Sequence, residues 1–165
     1  MRIWNGWIGI LMIAAVMAPA CSTREESAGH GQAASAGAFY ARDGVALAGF
    51  DPVAYFDDGR PVQGSPEHSA TYKGSVFRFA SQAHRDAFAA DPARFAPQYD
   101  GFCAFGVAGG YKAAIDPEAF TVVDDRLYLN YDRDVQQEWS TDIPGFVARA
   151  DRNWPAVSVQ TKVVE

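Results

Sequence analysis

Residues 49–107 constrain the fold of this chain most, because three segments there interleave large aromatics with turn-forming residues. Gly49-Phe50-Asp51-Pro52-Val53-Ala54-Tyr55-Phe56 and Tyr72-Lys73-Gly74-Ser75-Val76-Phe77-Arg78-Phe79-Ala80-Ser81 lead to Gly101-Phe102-Cys103-Ala104-Phe105-Gly106-Val107. Residues 53–56 read as a short strand closed by Asp57-Asp58-Gly59, whose glycine and acidic residues suit a tight turn. Ala70 and Tyr72, then Val76, Phe77 and Phe79, flank Lys73-Gly74-Ser75 as the two arms of a hairpin. Ser81 suits the N-cap of a helix reaching about Ala90, with Ala83, Ala87, Phe88 and Ala90 along its apolar face. Cys103 then falls in an aromatic, glycine-rich turn.

Asp91-Pro92 restarts a turn of helix carrying Phe95, with proline at a first helical position where its missing donor costs nothing. Asp100-Gly101 reads as a turn, and Asp116-Pro117 as a short helical turn before a strand over 120–123. Asp124-Asp125 links that strand to Leu127-Tyr128-Leu129-Asn130-Tyr131, whose alternation puts Leu127, Leu129 and Tyr131 on one face. Val135 and Trp139 mark one helix. Ile143, Phe146, Val147, Ala150 and Trp154 mark another, capped by Asp142, with Pro144 in its first turn and a stop near Pro155. The class expected is α+β: a small antiparallel sheet with short helices packed on it, in a single domain.

The first 20 residues read as an export signal: Arg2, an uncharged apolar run over 8–16, then Ala18-Pro19-Ala20 at the cleavage point. That run is short against the ~20 residues of a bilayer crossing. Cys21 follows directly, where a bacterial lipoprotein is acylated; simple secretion is the alternative. Residues 21–38 are small and polar, include His30, and read as a flexible tether. Residues 39–157 form the domain and 158–165 a C-terminal tail. The expected location is outside the cytoplasm, in the periplasm, on a lipid anchor.

The formal net charge of the 165-residue chain is −6, and loss of Arg2 with the leader makes it one unit more negative. Nucleic acids and anionic lipid surfaces need dense basic patches, so neither is an expected partner, and membrane contact is expected through the anchor alone. No protein partner is indicated. The sequence has two cysteines. With Cys21 acylated, Cys103 stands alone, so it is buried, liganded or reactive; without acylation a Cys21–Cys103 disulfide is open to it.

The quoted segments, with Tyr99-Asp100-Gly101-Phe102-Cys103-Ala104-Phe105, Leu127-Tyr128-Leu129-Asn130-Tyr131 and Asn153-Trp154-Pro155, resemble the YHS domain. The likeness covers about residues 45–155 and is nearer to the longer exported branch known as YHS domain-containing (seleno)protein. It implies an exported single-domain protein that handles transition metals, without a demonstrated reaction. Short YHS domains carry Asp-Pro-Val-Cys and Phe-Cys-Ser-x-x-Cys, with cysteines as presumed metal ligands. The corresponding positions here are Ala54, Ala80 and His84, of which only His84 can coordinate. The position matching selenocysteine in some members is Cys103.

Three readings follow. In the first, Cys103 with His84 binds a transition metal, copper before zinc, and Asp51, Tyr55 or Tyr99 completes the site. In the second, Cys103 is a reactive redox thiol with a depressed pKa; no second cysteine stands nearby to form a thioredoxin-like couple. In the third, the domain is an anchored interaction module and Cys103 is core. His84 as a solvent-facing helix residue and His68 as a surface loop residue are the plain alternatives. The aromatics read as core, and Asp51-Pro52 and Asp116-Pro117 as turn and cap chemistry. No triad, phosphate loop or paired-carboxylate signature supports a hydrolase or kinase, and the balance leans against an enzyme.

Overall fold

A computed structural model describes residues 38–165 of the protein. The leader, Cys21 and the tether up to residue 37 lie outside the described residues. No helix among the described residues is long and apolar enough to cross a membrane.

The fold is α+β. Strands β1 (Ala41–Arg42) and β2 (Val45–Ala46) form a tight hairpin, and a turn over Leu47–Gly49 leads to the one-turn helix α1 (Ala54–Asp57). Strands β3 (Ser65–Tyr72) and β4 (Ser75–Phe79) follow, then helices α2 (Gln82–Ala90), α3 (Pro92–Phe95) and α4 (Ala104–Ala108). Strands β5 (Lys112–Ala113), β6 (Asp116–Val123) and β7 (Arg126–Asn130) precede α5 (Arg133–Ser140), α6 (Ile143–Val157) and β8 (Val163–Val164).

The main sheet has the order β1-β2-β4-β3 and is mixed rather than purely antiparallel, because β2 runs parallel to β4. β6 and β7 form a separate antiparallel hairpin, and β5 pairs in parallel with β8. The expected β3–β4 hairpin forms with a two-residue loop in which Lys73 (φ 46°) and Gly74 (φ 76°) are both left-handed, the twist that fits flanking strands. Ser81 caps α2 by accepting a hydrogen bond from the His84 N–H at 3.1 Å. Asp91, Asp132 and Asp142 cap α3, α5 and α6 in the same way.

Several local expectations are corrected. The expected strand over 53–56 is instead helix α1, with Val53 at its N-cap, because Asp51 Oδ1 accepts from the Val53 and Ala54 N–H groups and starts a helical turn. The glycine-rich stretch after Cys103 is α4, with Cys103 at its N-cap. Asp116-Pro117 begins β6 instead of a helical turn: Asp116 pairs with Asn130, and a register shift separates that pair from Phe120–Leu129. Helix α6 passes through Pro155 to Val157, since a proline in the last turn removes only one bond before the helix ends. Leu127, Tyr128, Leu129 and Asn130 are all buried and Tyr131 is exposed, so β7 is covered on both faces. The segment 158–165, expected as a tail, supplies β8, and its Val164 carbonyl accepts from the Ala114 N–H at 2.8 Å.

The core is aromatic. Phe88 of α2 packs on Tyr72, Phe77 and Phe79 of the main sheet. Tyr128 sits between Tyr99 and Trp139, and Trp154 closes on Tyr99. Two close approaches depend on glycine. Gly101 (φ 77°) ends a left-handed run through Tyr99 and Asp100, and a Cβ there would meet Leu47 Cδ2 at 2.9 Å. Gly64 lies against the Arg78 backbone, whose carbonyl oxygen would stand 2.6 Å from an added Cβ.

Candidate functional site

Asp51 is fully buried, and its carboxylate organises the junction of three segments. Oδ1 accepts from the Val53 N–H at 2.8 Å and the Ala54 N–H at 3.4 Å, while Oδ2 accepts from the Ala80 N–H at 2.8 Å. Oδ2 also meets His84 Nδ1 at 2.6 Å. His84 occupies the third position of α2, which Ser81 starts at the end of β4, so the cap and the carboxylate together fix the imidazole. Its side chain is 19% exposed, and Nε2 has no hydrogen-bond partner among the described residues. A carboxylate that engages one ring nitrogen holds the tautomer and turns the other nitrogen outward, as for metal-ligating histidines.

Cys103 lies elsewhere. It is a free cysteine, 2% exposed, and lines a pocket of about 180 Å³ with Phe105, Tyr111, Tyr131 and Val135. Its sulfur accepts from the Gly106 N–H at 3.4 Å, and the thiol points to Asn130 Oδ1 at 3.9 Å. Burial pushes the thiol pKa up, against the smaller downward pull of nearby backbone N–H groups. A neutral thiol in these surroundings lacks the electropositive setting that makes a cysteine nucleophilic. Asn130 is fully buried and uses its Oδ1 on the Phe105 N–H at 3.4 Å, while its Nδ2 has no partner among the described residues.

The structure thus pairs Asp51 with His84, while the other expected residues have hydrogen-bond partners of their own. Tyr55 donates to the Pro117 carbonyl at 3.1 Å and packs on Phe120, and burial raises its phenol pKa far above the ordinary range. Tyr99 donates to Asp151 at 2.9 Å, and burial followed by that carboxylate raises its pKa likewise. Both phenols are tied into the core. His84's partners are Asp51 and Ser81, whereas those of Cys103 are Gly106 and Asn130. Among the described residues no three His, Cys, Asp or Glu side chains are grouped closely enough to hold an ion between them. As a donor set for a metal, the described residues offer an oriented imidazole and, with different partners, a sulfur.

Asn130 and Asp151 were not singled out from sequence. Asn130 ends an apolar alternating run, where a buried amide is out of pattern, and that misfit is the signal that would have found it. Asp151 lies on a helix face with nothing in its neighbours to mark it.

Compared with known proteins, the chain matches no family model, no curated protein and no solved structure. Fold and site define a small α+β domain with a carboxylate–imidazole pair near its surface and a protonated thiol in its core.

Proposed function

We propose that this protein is a non-enzymatic, exported, YHS-like domain that handles a transition metal, copper before zinc, on a tether anchored through Cys21. The observation that carries the metal reading is the Asp51–His84 pair at 2.6 Å, which orients the imidazole and leaves Nε2 unpartnered among the described residues. Cys103 is the soft donor that Cu(I) prefers over nitrogen or oxygen. Since the two donors have separate surroundings, a single site uses one of them, and its remaining coordination positions fall to water or to a second molecule. The buried, protonated state of Cys103 counts against a thiol kept ready for redox chemistry, and a metal bound there displaces the thiol proton.

The test is metal content after loading with Cu(I), and separately with Zn(II), followed by desalting. Retention of about one equivalent, as for a single mononuclear site, that falls in His84→Ala or Cys103→Ala supports the proposal. No retained metal, or retention equal in both variants and the parent, overturns it. Those outcomes also separate the ligand role of His84 from a purely structural clip between Asp51 and α2.

A further inference from the structure

A second site lies where the N-terminal hairpin, the β3–β4 loop and the C-terminal segment meet. They enclose a cleft of about 650 Å³, within the ~300–1,000 Å³ usual for small-molecule sites. Its walls are mainly apolar, with Phe39, Phe102 and Val163 inside, and Val76 and Val159 left 38% and 78% exposed. Within these walls stands Lys112, only 8% exposed.

The Lys112 ammonium has three donors. One meets the Ser158 carbonyl at 3.0 Å, and Nζ lies 4.6 Å from the centre of the Phe102 ring. Ser158 and Phe102 are themselves cleft walls, so the head group is at the cleft. Among the described residues no carboxylate lies within 4.0 Å of it. A buried cation without a close counter-ion is costly: burial lowers the Lys112 pKa, and Asp100, farther than 4.0 Å away in the same wall, offsets that only in part. Asp100 and Glu165 in the same walls disfavour a multiply charged anion such as a phosphate.

We propose that this cleft binds a small monocarboxylate with an apolar body, whose carboxylate pairs with Lys112 and whose chain lies along Phe39, Val76, Phe102 and Val163. The site is independent of His84 and Cys103.

Calorimetric titration of the full chain with octanoate and with 1-octanol tests it, alongside Lys112→Met, which keeps the length and apolar character of the side-chain stem. Expected are saturable one-to-one octanoate binding, about tenfold or more tighter than octanol, and loss of that preference in Lys112→Met. No saturable octanoate binding, octanol binding equal to octanoate, or an unchanged Lys112→Met each overturns the proposal. If Lys112→Met fails to fold, the octanoate–octanol comparison on the unmodified chain decides.

Discussion

Replacing Asp51 by alanine removes the one side chain that ties the start of α1, the end of β4 and the third residue of α2 together. Three contacts are short: Val53 N–H at 2.8 Å, Ala80 N–H at 2.8 Å and His84 Nδ1 at 2.6 Å. Hydrogen bonds to a charged group contribute about 1.5–3 kcal/mol each, and a buried donor left alone loses its desolvation cost as well. Val53 is fully buried and its N–H has no replacement, whereas Ala80 and His84 lie near water and recover part of their loss. The total comes to about 3–4 kcal/mol, a large share of the roughly 5–15 kcal/mol that holds an ordinary domain. Urea unfolding followed by tryptophan fluorescence would show a midpoint lower by about 1.5–2 M at an unchanged slope. Asp51→Asn, which keeps one acceptor for Val53 but turns an amide toward the Ala80 N–H, is expected to lose about half as much. A loss below about 1 kcal/mol in Asp51→Ala would refute the assignment of this carboxylate as the junction's organiser.

Two further predictions concern the other centres. Cys103 in the folded, metal-free protein should react with iodoacetamide at pH 8 at least about tenfold more slowly than in urea, because it is buried and protonated; equal rates would contradict its placement. Its raised pKa means that the thiol's contribution to stability is complete below the free-thiol value of about 8.5 and is lost as pH rises through the folded value, so the parent should lose stability above that pH relative to Cys103→Ala. Gly101→Ala combines a left-handed φ of 77° with a Cβ 2.9 Å from Leu47, and is expected to cost about 2 kcal/mol or more in denaturant unfolding. A neutral result there would mean that the 99–101 turn relaxes freely.

What was legible in the sequence was local. Lys73-Gly74 between alternating aromatics specifies its own turn, and Ser81, Asp91 and Asp142 cap helices through contacts three residues away. Residues 53–56 were misread because their β-branched and aromatic composition favours a strand, while the deciding contact comes from Asp51 just before them. The stretch after Cys103 differs from the expected turn because Gly106 in α4 and Gly109 at its C-cap permit close packing, with Tyr111 lying where a Cβ on either would point. Asp51 and His84 were both candidates, but their pairing spans 33 residues and arises only once α1 and α2 share the end of β4. The Lys112 cleft depends on β8 pairing with β5, and residues 158–165, with only Val159, Val163 and Val164 as large apolar side chains, gave no sign of it.

The most direct measurement of the metal reading is a Cu(I) titration against a competing chelator, run on the parent, His84→Ala and Cys103→Ala proteins. The account predicts saturation at about one copper per chain, with affinity lowered at least about tenfold in a ligand variant, the scale of one lost ligand or its support. A parent protein that never competes with the chelator, or three proteins with the same curve, would contradict it.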